Sequence, residues 1–506
     1  MRSIFSLTTA TAIGLFMSTS WSLAASNTAV LTQDGATNTA TITQTSGSGN
    51  MAGDTGQDME QHGYTNVLTI TQSGADNQIG LYASGLDQTS DQPSGDDAPS
   101  NTATINQTSD GNSVGLLQQI SQGAHASTGN SLMVNQETGT DNTIHRILQT
   151  QTDENAANTA TLTESGASNW IERVQQESAS VGAANEATVT ITGSNNGGGS
   201  LGVLAYSAGG TPSTIIQSSD LVAGGANNQI DLSITGDDNQ FGITQYGANN
   251  SVGTLSISGS SNSLGTYQRG DTNLINAGNI GGDTNDVGIY QSGDSNTATL
   301  NLNYSSSTNE AAIGQYGDYN TASLNVTGDS NYAGIGQLGD SNYGSVAVTG
   351  STNVVLGVQV NTGGVGGIGN DLTVGITGDG NNALIGGSTA AFTGAAALVA
   401  NAGPLVSDLI LTAPGASSVL SPYSSANLLT PGALVQLGED NHMDIQVGAI
   451  STSNNNLFAA VQAGTGNMLS ASVNGDGNQF AILQSGNGNT SSISQTGNGN
   501  VIGISQ

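Results

Sequence analysis

The sequence has no cysteine in 506 residues, so disulfides hold no part of it together. Lysine is missing as well: the four basic residues are Arg2, Arg146, Arg173 and Arg269. Binding a phosphate backbone takes many Lys and Arg contacts, which excludes a nucleic-acid-binding role. The same shortage leaves nothing to wall a groove that would hold an acidic sugar for carboxylate-catalysed cleavage. Charged residues make up 8% of the chain, against about a quarter in ordinary domains. The histidines, His62, His125, His145 and His442, are scattered without metal-ligand spacing, and His145 beside Arg146 reads as a surface feature. The calcium-binding pattern G-G-x-G-x-D occurs once, from Gly366 to Asp371, and is not repeated in tandem as a calcium-binding solenoid requires. These absences point to no enzyme and no cofactor.

Long apolar runs are missing too. The stretch from Ile4 to Met17 is too short and too rich in Ser and Thr to span about 30 Å of hydrocarbon. With Met1-Arg2 before it and the small-residue context SWSLAA after it, residues 1–24 read as a secretory signal. The mature chain is then exported, without a transmembrane segment, and stabilised by something other than disulfides.

What the chain has in quantity is glycine, 73 residues, and a period. In NYAGIGQLGDSNYGSVAVTGSTN, Ala333, Ile335 and Gln337 follow Asn331 at steps of two, then Gly339, and Asn342 closes the unit. Gly344, Val346, Val348, Gly350 and Asn353 repeat it eleven residues later. A step of two is the period of a strand, whose successive side chains face opposite ways. Gly-x-x-Asn is turn chemistry, because Gly takes positive φ freely and Asn tolerates it better than most residues. Disorder would not keep such a period.

Corner asparagines recur at Asn239, Asn250, Asn262, Asn273, Asn285, Asn296, Asn309, Asn320, Asn331, Asn342 and Asn353, at steps of 11 to 13. Glutamine adds a longer period: Gln245, Gln268, Gln291, Gln315, Gln337 and Gln359 recur every 22 to 24 residues, each six after a corner Asn. Gln484 and Gln495 carry the pattern into the C-terminal copies. The corner glycines are Gly247, Gly270, Gly293, Gly317, Gly339, Gly486 and Gly497. The repeat is therefore two strands and two corners, and a fixed period of this size signals a stacked array. The predicted fold is all-β, a parallel two-sheet β-solenoid with rungs about 4.8 Å apart and sheets about 10 Å apart. Equivalent residues pile into columns: aliphatic columns form a thin core, and Asn and Gln columns pair amide to amide.

Gln-x-Gly-x-x-Asn-x-Ala, written as Gln33-Gly35-Asn38-Ala40, Gln291-Gly293-Asn296-Ala298 and Gln315-Gly317-Asn320-Ala322, resembles the curlin repeat of curli, the extracellular amyloid fibres of bacterial biofilms. The curlin consensus has Ser six before the Gln, where this chain has Asn285, Asn309 and Asn331. The resemblance covers about residues 27–386 and 436–506. It implies a secreted structural subunit, at the bacterial cell surface or outside it, that self-associates into fibres for adhesion and biofilm matrix. Other curli-like subunits and outer-membrane secretion machinery are the further partners it implies. A second reading stays open: a monomeric secreted β-solenoid adhesin, or an ice- or glycan-binding protein, for which Thr39-Thr41-Thr43, Thr69-Thr71 and Thr188-Thr190-Thr192 give some footing.

The expected organisation is a signal over 1–24, degenerate repeats with polar loops over 25–228, regular repeats over 229–386, a non-repeat insertion over 387–435 and regular repeats over 436–506. The insertion holds four of the seven prolines and room for a short helix near Ala395 to Ala400. Asp271, Asp294, Asp318 and Asp340 share one place after the corner Gly; they read as solvated turn residues or as gatekeepers against premature assembly. Tyr246, Tyr267, Tyr290 and Tyr316 flank the Gln column and must point outward. The last unit places Asn500, Ile502, Ile504 and Gln506 in register for another copy, with no capping element after them. An uncapped rung predicts an edge to which a second molecule adds.

Overall fold

The structure is a computed structural model that describes residues 26–383 and 431–506, apart from 55–57, 81–84, 92–99, 123–128, 153–156, 180–183, 220–226, 304–305, 362 and 364–366. The signal over 1–24 and the helix expected near Ala395 to Ala400 lie outside the described residues. The chain divides into two compact units, one of Met1–Ser200 with Pro212–Thr254, the other of Leu201–Thr211 with Leu255–Gln506.

Each unit is a parallel two-sheet β-solenoid. The chain crosses the two sheets in turn, passing sheet 1 on some turns as two short strands such as Trp170–Ile171 and Arg173–Ser178, so a strand pairs in parallel with the strand one full turn of the chain away. In the second unit, Asp286–Ser292, Glu310–Tyr316 and Tyr332–Leu338 are neighbours in sheet 1, with Gln291 opposite Gln315 and Gln315 opposite Gln337. Thr297–Leu302, Thr321–Thr327 and Tyr343–Thr349 are neighbours in sheet 2. In the first unit, Ser113–Gln122, Thr143–Gln151 and Arg173–Ser178 belong to sheet 1, while Ser131–Thr138 and Thr159–Ser165 belong to sheet 2.

The period of two decides what each strand buries. In Thr321–Thr327, Ala322, Leu324 and Val326 are buried and the residues between them are partly exposed. Burying such side chains yields about 1.5–3 kcal/mol each for the larger ones, and the column above and below supplies the partners. Sheet 1 of the second unit departs from this one-sided pattern. Every residue of Val354–Val360 is buried, and the outward side chains Leu356, Val358, Val360, Val435, Val461 and Leu483 form an apolar cluster with Leu204 and Ala208.

Leu204 and Ala208 belong to the one helix among the described residues, Val203–Ser207, with its C-terminal flank. The sequence reading left this helix out, and its support is tertiary. A five-residue helix is too short to hold itself. It rests on sheet 1 where Gly265 has no side chain; a Cβ there would lie 1.8 Å from the carbonyl oxygen of Ala205. The carboxylate of Asp286 accepts the N–H groups of Leu204 (2.9 Å) and Ala205 (3.0 Å), and Ser263 Oγ accepts that of Gly202 (2.7 Å). Burial pushes the Asp286 carboxyl up, and those backbone N–H groups oppose the rise.

The corners correct one detail of the sequence reading. Corner glycines take positive φ, as at Gly293 (119°), where a Cβ would lie 2.2 Å from the carbonyl oxygen of Gly317 on the next rung. The second left-handed residue is the one before the corner Asn: Asp238, Ser261, Thr284, Ser330, Ser341 and Thr352 have φ between 57° and 63°. The Asn itself is buried. Its amide is needed inside the rung, so a neighbour bears the strained angle.

Candidate functional site: the amide ladders and the outermost rung

In the second unit, Gln268 donates Nε2 to Oε1 of Gln291 (2.9 Å), Gln291 to Gln315 (2.8 Å), Gln315 to Gln337 (2.9 Å) and Gln337 to Gln359 (2.9 Å). The ladder continues past residues 384–430: Gln359 donates to Gln436 (3.0 Å), Gln436 to Gln462 (3.0 Å), Gln462 to Gln484 (2.9 Å) and Gln484 to Gln506 (3.1 Å). Gln436 escapes a search at a spacing of 22 to 24, because it lies 77 residues after Gln359 and 26 before Gln462, though one rung from each in space.

The first unit carries two such ladders. In sheet 1, Gln33, Gln61, Gln88, Gln119, Gln149, Gln176, Gln217 and Gln245 are joined in that order. In sheet 2, Gln44, Gln72, Gln107 and Gln136 lead to Glu164. The spacing along sheet 1 varies from 27 residues between Gln61 and Gln88 to 41 between Gln176 and Gln217. The usable signal was the invariable return of Gln, not its distance.

The ladders have a direction. Each Gln donates to the copy on its C-terminal side, and its Nε2 also donates to backbone carbonyls, as Gln315 does to Thr297 (2.9 Å), which fixes the orientation of the amide. The Asn columns run the other way. Asn285 donates both its backbone N–H (3.0 Å) and its Nδ2 (2.9 Å) to Oδ1 of Asn262, and Asn309, Asn331 and Asn353 continue the series. Asn342 donates in the same sense to Asn320, and Asn239 to Asn196 in the first unit. The backbone N–H leaves Oδ1 as the only possible acceptor. A rung's C-terminal side therefore offers Gln donors and Asn acceptors, and its N-terminal side offers the converse.

Gln495 is placed differently from Gln484. It lies in sheet 2, opposite Val473, and its buried Oε1 has no partner. The same column holds Val326, Val348 and Ile376 on earlier rungs, so Gln495 returns an amide to a column that is otherwise aliphatic. The outermost described strand, Val501–Ser505, is exposed or half-exposed along its length, with Val501 at 71%. No described residue donates to Oδ1 of Asn489 or of Asn500, whose Nδ2 groups are used on the rung before.

The acidic corners form columns of their own. The backbone N–H of Asp271 donates to Oδ1 of Asp294 (2.7 Å), that of Asp294 to Asp318 (2.8 Å) and that of Asp318 to Asp340 (2.9 Å). Asn454 and Asn498 fill the same place elsewhere. Tyr267 and Tyr290 stack with ring centroids 5.2 Å apart. The outward threonines give only short columns: Thr41, Thr69 and Thr104 are in register, and Met133 follows. Among the described residues, no group of three or more His, Asp or Glu is placed to hold a metal ion, and no helix is long and apolar enough to cross a membrane.

Residues 24–53 match the family model of the curlin associated repeat. That stretch contains the strands Leu31–Ala36 and Thr39–Ser46 with the first ladder residues, Gln33 and Gln44. No curated protein matches the sequence.

Proposed function

We propose that this curlin-repeat chain is a secreted structural subunit that assembles into curli-like fibres, at the bacterial cell surface or beyond it, for adhesion and biofilm matrix. One observation carries the proposal: the two sides of a rung are complementary, and the outermost described rungs match across chains. The sheet 1 ladder reaches Gln506 and starts again at Gln33, and the sheet 2 column turns to Gln at Gln495, where the next chain offers Gln44. Oδ1 of Asn489 would accept from the N–H groups of Asn38, and Oδ1 of Asn500 from those of Asn27. Asn500, Ile502, Ile504 and Gln506 then form the edge at which a second chain adds, head to tail. Head-to-head contact would set donor against donor.

The experiment is incubation of the purified chain, followed by an amyloid dye and electron microscopy. Growing, dye-positive fibres support the reading, and a protein that stays monomeric through long incubation at high concentration overturns it. The resemblance to curli further suggests other curli-like subunits and outer-membrane export machinery as partners.

A further inference from the structure

In a chain with four arginines and no lysine, two of the arginines occupy one spot on the first unit. Arg146 and Arg173 are 27 residues apart, which here is one rung. The strands Thr143–Gln151 and Arg173–Ser178 pair with Ile147 opposite Val174, so the residues just before them, Arg146 and Arg173, lie side by side on the outer face of sheet 1. Neither has a carboxylate within ion-pair distance among the described residues, where the three ion pairs all belong to histidines.

Trp170 lies on the same pair of rungs, opposite Thr143. The chain's other tryptophan is Trp21, within residues 1–24. Glu172 fixes the aromatic side of the patch. One of its oxygens accepts from Trp170 Nε1 (3.2 Å) and the other from His145 Nδ1 (2.9 Å), and the two rings stand 6.0 Å apart, tilted by 33°. No ion pair joins Glu172 to either guanidinium among the described residues. A solvated surface rarely concentrates the scarcest residues of a sequence in this way.

We propose that Trp170, His145, Arg146 and Arg173 form a binding patch for an acidic saccharide, a sugar ring carrying a carboxylate. Guanidinium groups bind carboxylates through paired, charge-assisted hydrogen bonds. The indole offers a broad apolar face, with its N–H already directed to Glu172, against which the C–H face of a sugar packs. A polyphosphate is a poor occupant: two arginines make few phosphate contacts, and the chain's formal charge of −33 opposes a polyanion. A single uronate needs only the local pair, and at physiological salt the repulsion from distant carboxylates is screened beyond about 8 Å. The scarcity of basic residues argued against a cleft that cleaves acidic sugars; it leaves room for a patch that holds one. The inference is independent of fibre formation, since the patch lies on a sheet face and not at a rung edge.

The test uses the full chain carrying Trp21→Phe, in which Trp170 is the only indole, freshly prepared as monomer. Its fluorescence is titrated with trigalacturonate, cellotriose and oligothymidylate. The expected result is a saturable change with trigalacturonate, at least tenfold weaker with cellotriose and at least tenfold weaker in Arg146→Gln/Arg173→Gln. The Arg146→Lys/Arg173→Lys variant, which keeps the charge and loses the fork, should fall between the two and serves if the Gln variant loses strand content by circular dichroism. No response to trigalacturonate, an equal response to cellotriose, a stronger response to oligothymidylate, or unchanged affinity in the arginine variants would each overturn the proposal.

Discussion

Gln136 donates Nε2 to Oε2 of Glu164 at 2.8 Å, and the other oxygen of Glu164, fully buried, has no partner. On the next rung the same column holds Ile191. Glu164 thus stands where a glutamine ladder becomes an aliphatic column. It is shaped like the amides before it, but it is an acid.

Burial pushes the Glu164 carboxyl up to about 8, opposed in part by the hydrogen bond from Gln136. The folded chain keeps this proton up to about pH 8, while the unfolded chain releases it near 4.5. The stability contribution of the protonated group is therefore complete below pH 4.5 and is lost as pH rises toward 8, at roughly 1.4 kcal/mol per pH unit within that window. Glu164→Gln should remove this slope and leave the first unit more stable at pH 7. Melting curves of both chains at pH 5, 7 and 9 check it: the gap should widen with pH. Parallel curves would show that the buried carboxyl is not the source.

The corner columns give a charge prediction. Asp294, Asp318 and Asp340 each accept a backbone N–H, and Asn454 and Asn498 accept one in the same place without charge. Replacing the three aspartates by Asn should keep these bonds and remove the repulsion between stacked charges. The variant should assemble faster than the parent at pH 8. Equal dye kinetics for the two chains at pH 8 would leave these residues as solvated turn positions.

Much of this was readable in advance, for a physical reason. A solenoid repeats one local problem, so the step of two in Ala333, Ile335 and Gln337 and the glycine at each corner already fix strand, turn and face. What escaped depended on neighbours distant in sequence. The Gln359–Gln436 bond crosses a 77-residue gap, Arg146 meets Arg173 only through rung stacking, and the helix Val203–Ser207 exists because Gly265 leaves it space. The corner Asn was expected to pair amide to amide as well as to turn the chain, but the left-handed angle falls on the residue before it.

Gly265→Val should test that space. The added side chain would collide with the backbone of Ala205, displacing the helix and uncovering Leu204 and Ala208. Overpacking of this kind costs about 1–3 kcal/mol. Limited proteolysis should cut faster within 201–211, with strand content by circular dichroism unchanged. An unchanged digestion pattern would mean that the helix does not depend on the gap at Gly265.

At the outermost rung, Ile502→Pro with Ile504→Lys should block addition. Proline removes a ladder N–H, and lysine charges the edge. Strand content should stay near that of the parent, because only Val501–Ser505 is touched. Dye-monitored growth should slow by at least tenfold; growth at the parent's rate would mean that this edge is not where molecules add.

The most direct test is X-ray diffraction from aligned fibres of the purified chain. If molecules add rung on rung, the repeat of about 4.8 Å must lie along the fibre axis, with the sheet spacing of about 10 Å perpendicular to it. Fibres with the 4.8 Å reflection off that axis, or a chain that forms no fibres at all, would contradict head-to-tail stacking through the amide ladders.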